Sequence, residues 1–124
     1  MLEAWVPRGH GSPLHVHSRE DETFYVIAGE LRVEVEDDVY VVGPGMTAFG
    51  PRGLKHRFTV ASEEARFLLI ATPAGLEDFV RAGAEPATET RLPDQKSAPP
   101  PSPDALAALA AEYGIEILGP PALP

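Results

Sequence analysis

The stretch FYVIAGELRVEVEDDVYVV, residues 24–42, decides the fold that the sequence predicts. Apolar and charged residues alternate through LRVEVE at residues 31–36, which is the two-residue period of a strand with one buried face. Gly29-Glu30 before this strand and Asp37-Asp38 after it are turn signals that fit hairpin connections. The stretch therefore predicts short antiparallel strands joined by tight turns.

The same pattern extends in both directions, from about Leu14 to Thr72. Turn signals such as Gly43-Pro44-Gly45 and GPRG at Gly50–Gly53 separate further short apolar segments. Six or seven antiparallel strands at this spacing are typical of a small barrel or a two-sheet sandwich. We therefore predict an all-β domain over residues 1–75.

The composition changes after Pro73, and residues 76–124 are predicted to form a C-terminal extension. GLEDFVRAG at residues 75–83 has the apolar spacing of a short amphipathic helix, and SAPPPSP at residues 97–103 favours polyproline II. Ser102 is a good N-cap for a second helix that ends at Gly114, and Ile115–Leu118 is predicted to be extended. The extension is thus mostly helical.

The charge balance limits the classes of partner. The chain of 124 residues has a formal net charge of −9 and no cysteine. An acidic protein is a poor ligand for nucleic-acid phosphates or anionic membranes, so neither is expected as a partner. No apolar run reaches transmembrane length, and the N-terminus lacks the order of a signal peptide, so the expected location is cytoplasmic.

Three histidines and one acid form a candidate metal site. His15 and His17 are two residues apart, so on a strand they project from the same face. Glu22 follows after a turn and can enter the next strand, and His56 opens a later strand. Three imidazoles and a carboxylate suit a divalent first-row metal and leave coordination positions open.

Among the three neighbouring acids, strand phase favours Glu22 as the ligand, because Phe24 and Val26 continue its parity into an apolar interior. Glu20 and Asp21 are expected to stay solvated in the turn. The same reasoning about parity predicts a pocket near the metal. Its candidate lining residues are Phe24, Val26, Met46, Ala48, Phe58 and Val60.

The spacing of these residues resembles the two motifs of the cupin superfamily. Residues 9–29 reproduce G(X)5HXH(X)3–4E(X)6G, and residues 45–56 reproduce G(X)5PXG(X)2H. The chain is similar to single-domain cupins of the cupin-2 type, such as the small bacterial quercetin 2,3-dioxygenase-like proteins. The resemblance implies an antiparallel β-barrel of the jelly-roll type with His15, His17, Glu22 and His56 as metal ligands. The asparagine that often ends the second motif is replaced by Val60.

The family resemblance leaves several functions open. The leading hypothesis is a metal-dependent, quercetinase-like dioxygenase acting on a small phenol or enol, with Glu22 as the base. A non-catalytic small-molecule-binding or sensing cupin, and an isomerase or cyclase, are the alternatives. One divalent metal per subunit is expected, and iron, manganese, nickel, cobalt, copper and zinc all accept these ligands. Only one strand can precede the first motif, which would leave an edge of the barrel open. A neighbouring subunit would cover this edge, so a homodimer is also predicted.

Overall fold

The computed structural model describes residues 1–92, 94 and 101–122. Nine strands and two helices are formed in this part of the chain. In chain order they are β1 Leu2–Pro7, β2 Pro13–His17, β3 Asp21–Ala28, β4 Leu31–Val35, β5 Asp38–Val42, β6 Thr47–Gly50, β7 His56–Val60, β8 Glu64–Thr72, α1 Leu76–Gly83, α2 Pro103–Glu112 and β9 Ile115–Pro121. The seven strands β2–β8 confirm the strands predicted between residues 14 and 72.

The strands form two antiparallel sheets, as in a jelly-roll sandwich. One sheet has the order β1-β8-β3-β6, and the other has the order β5-β4-β7-β2-β9. The prediction of an all-β cupin-type fold with a short helical extension is therefore confirmed. None of the described helices is long and apolar enough to cross a membrane.

One of the two predicted hairpins is wrong. Gly29-Glu30 joins β3 to β4, but these strands lie in different sheets, so this turn carries the chain across the sandwich. Gly29 adopts a φ of 81°, and a Cβ there would lie 2.2 Å from the carbonyl oxygen of Glu64. The other hairpin does form between β4 and β5, with Glu36-Asp37 as its turn and Asp38 paired with Val35.

The core fills the space between the two sheets. Alternate residues of β3, β4 and β8 point into it, including Phe24, Val33 and Phe67, which are almost fully buried. The rings of Phe24, Phe58 and Phe67 contact one another with centroid distances of 5.2–6.2 Å. This aromatic cluster borders the candidate site, because the centroid of the Phe24 ring lies 6.4 Å from that of His56.

The extension packs on the sandwich of the same chain. Strand β9 pairs with β2 at the edge of the five-stranded sheet, and α1 and α2 contact each other and the sandwich through Leu76 and Ala110. The hydroxyl of Ser102 accepts a hydrogen bond from the Ala105 N–H at 3.2 Å, which confirms the predicted N-cap. Most of the predicted polyproline II segment lies outside the described residues. The division of the chain at residues 75 and 76 stays a prediction.

Candidate metal centre

The four candidate ligands come from three strands and both sheets. His15 and His17 lie on β2, His56 lies on β7 directly opposite His15, and Glu22 lies on β3 in the other sheet. All four side chains are buried, with exposures between 0% and 8%. The side chains of His15 and His17 on β2 and of Glu22 on β3 all point into the interior. The histidines and the glutamate of the first motif therefore meet between the two sheets.

The potential ligand atoms converge on one point. His15 Nε2 lies 3.0 Å from His17 Nε2, and Glu22 Oε2 lies 3.2 Å from His17 Nε2 and 2.5 Å from His56 Nε2. All four atoms lie within 4.8 Å of one another. Neighbouring ligands bound at about 2.1 Å to a common ion lie about 3 Å apart, so this group has the spacing of a metal site.

Each imidazole is also held from its other side. His15 Nδ1 is 2.8 Å from the carbonyl oxygen of Pro13, and His56 Nδ1 is 3.2 Å from that of Leu54. With a metal bound, an Nδ1–H donor to these carbonyls would leave the Nε2 lone pair free to coordinate the ion, which is how metal-binding histidines are normally oriented. The donor set and its orientation thus fit a divalent transition metal.

His17 is held by a carboxylate, and this corrects the sequence prediction for Glu20. Glu20 Oε1 lies 2.6 Å from His17 Nδ1, and Glu20 is only 4% exposed, so it is buried and not solvated. Its neighbour Asp21 accepts a hydrogen bond from the backbone N–H of Arg52 at 2.7 Å. The sequence signal for Glu20 was its spacing of three residues from His17, which lets a turn bring the side chain back to the ring.

The four candidate ligands are electrostatically coupled. Burial would raise the pKa of Glu22, but hydrogen bonds from His15, His17 and His56 hold its pKa well below its usual value. Burial would lower the pKa of His17, but Glu22 and Glu20 raise it overall. Glu22 is therefore ionised at neutral pH, which is the form that can bind a metal.

A cavity of about 170 Å³ lies beside the candidate metal centre. His15, His17 and Glu22 line it on one side, and Ser12 also lines it, with its hydroxyl accepting a hydrogen bond from the Phe58 N–H at 3.1 Å. The other lining residues are apolar, and among the described residues none that lines it is a lysine or an arginine. The walls are shared by the sandwich and the extension.

The structure places two of the six predicted pocket residues, Phe24 and Phe58, on the cavity wall. The other four differ from the prediction. Val26, Ala48 and Val60 continue the inward parity but lie deeper, in the core between the sheets. Met46 is 52% exposed, because it precedes β6 in a turn where its sulfur contacts the Gly43 N–H at 3.4 Å.

The residues of the extension that line the cavity were not foreseen as pocket residues. They are Leu76, Phe79, Val80, Leu106, Ile115 and Ile117. Their apolar spacing was visible in the sequence, but the cavity they face was not.

Solved structures of similar fold come from several bacteria. The protein TT1209 of Thermus thermophilus is 30% identical with a TM-score of 0.55, and the match covers 57% of this chain and 69% of that one. A predicted oxalate decarboxylase of Thermotoga maritima is 23% identical with a TM-score of 0.52, covering 56% of this chain and 61% of that one. A mutant of Bacillus subtilis oxalate decarboxylase OxdC is 32% identical with a TM-score of 0.52, covering 56% of this chain and 19% of that one.

A search among curated proteins gave no match to the chain. The cupin domain model Cupin_2, in contrast, matches residues 2–71, which is more than half of the chain and includes both motifs. Together with the two-sheet fold and the buried group of three histidines and one glutamate, this match shows that the chain belongs to the cupin domain family.

Proposed function

We propose that this cupin is a metal-dependent dioxygenase that acts on a small phenol or enol. The observation that carries the proposal is the convergence of three Nε2 atoms and a carboxylate oxygen at one side of an otherwise apolar cavity. A site of this kind offers a substrate one strong anchoring point, at its acidic oxygen, and surrounds the remainder with apolar side chains. His15, His17, Glu22 and His56 are the proposed metal ligands.

The size of the cavity supports a substrate with a single ring. An apolar cavity of about 150 Å³ is large enough for one benzene molecule. The cavity of about 170 Å³ here is similar, so a one-ring phenol or enol fits better than a three-ring flavonol. The absence of lysine and arginine from the described lining residues also disfavours a dicarboxylate or a sugar phosphate, whose charges would be left unpaired.

The chain's own residues have separate roles in the proposed reaction. The three histidines hold the ion, and Phe24 and Phe58 pack against the face of the substrate. Glu22 is the proposed ligand that would also accept the hydroxyl proton, since each imidazole is already held through both of its nitrogens. A redox-capable metal bound there would polarise the substrate oxygen and allow dioxygen, the second substrate, to react.

The first experiment is metal analysis of untagged protein beside a His15→Ala/His56→Ala variant. We expect close to one equivalent of iron, manganese, nickel, cobalt or copper in the wild type and a loss of this metal in the variant. One-ring phenols and enols are then screened for oxygen uptake. Zinc alone has no accessible redox change, so zinc without oxygen uptake would favour the non-catalytic binding or sensing cupin.

The role of Glu22 as a base has its own test. Glu22→Gln keeps an oxygen that can bind a metal but loses the carboxylate that accepts the proton. We expect turnover to fall by a larger factor than metal content. Equal losses of both would contradict the base role, and turnover without oxygen would instead indicate an isomerase or cyclase.

We also propose that the protein is a homodimer. Among the described residues, none forms a strand along the outer edge of β1, and aromatic side chains such as Tyr25 and Phe49 are 38% and 54% exposed on the same sheet. Light scattering after gel filtration tests this, and a monomeric mass would overturn it. The cytoplasmic location and the lack of nucleic-acid and membrane partners stay predictions.

A further inference from the structure

We propose that the C-terminal extension determines how large a ligand the metal centre accepts. The proposal deepens the proposed function, but it depends only on ligand binding at the metal and not on turnover. The matched cupin domain ends at residue 71, whereas the described part of the extension covers residues 76–92, 94 and 101–122. Three elements of this extension contribute side chains to the cavity.

Strand β9 forms a wall beside the two histidines of β2. Ile115 is the cross-strand partner of His17, and Ile117 is the partner of His15. Directly opposite residues of an antiparallel pair project from the same face, so both isoleucines point toward the cavity. Leu118 lies between inward positions on the same strand, does not line the cavity and is 46% exposed.

The two helices form a further part of the cavity wall. Leu76 and Phe79 of α1 and Leu106 of α2 line it together with Leu69 of the sandwich. Leu76 is 5% exposed and belongs to a buried cluster with Ala110 and Ile115. The Phe79 ring is packed against Tyr113 at a centroid distance of 5.8 Å, so its position is fixed from behind.

The extension is also bonded to the turn that follows the second ligand histidine. The backbone N–H and the hydroxyl of Ser18 both donate to the carbonyl oxygen of Gly114, each at 2.9 Å. Gly114 has a φ of 74°, and a Cβ there would lie 2.7 Å from Ser18 Oγ and Arg19 Nε. This contact holds β9 in a defined position relative to His17, and the wall is therefore part of the site.

From these contacts we expect Phe79 and Ile117 to exclude ligands of more than one ring. The test uses two probes that share a hydroxy-ketone metal-binding group and differ in ring number, 3-hydroxy-4-pyranone and 3-hydroxyflavone. Each is titrated anaerobically into the cobalt-loaded full-length protein. Affinity is measured by calorimetry, and coordination is followed by the visible absorption of the cobalt ion.

We expect the wild type to bind the pyranone more tightly than the flavone. Phe79→Ala and Ile117→Ala should each improve the flavone affinity relative to that of the pyranone by about tenfold or more, the size of effect that a few methylene groups have in a pocket. The matched control is Leu118→Ala, which removes an apolar side chain from the opposite face of β9 and should leave the preference unchanged. If either cavity variant fails to fold, the other still tests the wall.

Three results would overturn the proposal: equal binding of the two probes by the wild type, an unchanged preference in both cavity variants, or the same gain in Leu118→Ala. A cobalt-loaded protein that binds neither probe would overturn it too. Oxygen uptake is not measured, so a cupin that turns nothing over gives the same binding result. Failure of this inference is thus distinct from failure of the proposed oxygenase.

Discussion

Each of the two ring nitrogens of His17 lies close to a carboxylate. Glu20 lies at its Nδ1 and Glu22 at its Nε2, at 2.6 Å and 3.2 Å. Glu22 belongs to the ligand group, whereas Glu20 is directed away from the centre and can only orient the ring. A carboxylate in this position also increases the basicity of the imidazole toward a metal.

Replacing Glu20 should therefore weaken metal binding without removing a ligand. We expect Glu20→Ala to lower metal affinity by about 10–100-fold, the usual cost of losing a partner of a ligand histidine. Glu20→Gln should lose less, because its amide oxygen can still accept from His17 Nδ1–H. The measurement is competition with a chelator, and the matched control is the exposed Glu30→Gln. Equal affinities for Glu20→Ala and wild type would contradict the orienting role.

The pKa of Glu22 predicts how the metal-free protein responds to acid. A carboxyl whose pKa is lowered by folding contributes stability above its unfolded pKa, and this stability is lost as the pH falls toward the folded pKa. After chelation, we expect the unfolding free energy to decrease below about pH 4.5 more steeply in the wild type than in Glu22→Gln. Parallel pH profiles from urea denaturation would contradict this.

At the residue scale, spacing was enough to predict which four side chains converge at the candidate metal centre, but not the residues that support or surround them. His15, His17, Glu22 and His56 could be found because strand parity and motif spacing are local in sequence. The burial of Glu20 depends on how the turn after His17 folds, which a run of three acids does not reveal. Met46 is two residues from the inward-facing Ala48, so strand alternation would point it inward too. It lies one residue before β6 begins, however, where the alternation of a strand no longer holds.

At the scale of elements, the helix α2 offers a direct test of local signals. Ser102→Ala removes the side-chain acceptor of the Ala105 N–H and should lower the unfolding free energy by about 1 kcal/mol. Ser102→Asp keeps a capping oxygen and should restore most of this loss. Urea denaturation measures both variants. An equal loss in the two variants would show that the cap itself does not stabilise the helix.

The existence of the strands and helices could be predicted, but several of their partners could not. The alternation in LRVEVE and the cap at Ser102 are local, and both elements form as expected. A turn such as Gly29-Glu30 can close a hairpin or cross between sheets, and its two residues are compatible with either. The extended segment at Ile115 was predicted, but its pairing with β2 joins residues too distant for periodicity to relate them.

For the whole molecule, we expect metal binding at the candidate site to increase the stability of the fold. The ligands join both sheets, so a bound ion should stabilise the folded chain over the unfolded one. At free metal about 100-fold above the dissociation constant, the gain is about 2.7 kcal/mol. We expect chelation to lower the melting temperature of the wild type but not that of His15→Ala/His56→Ala. An equal decrease in both would place the effect outside this site.

The hydrogen bond between Ser18 and Gly114 joins residues that are 96 positions apart in sequence. Contacts of such high contact order form late, because a long loop must be closed before they contribute stability. During synthesis, which proceeds from the N-terminus, the histidines of β2 emerge well before the strand that covers them. The side of the candidate metal centre that β9 covers is thus completed only when the last strand of the chain pairs with β2.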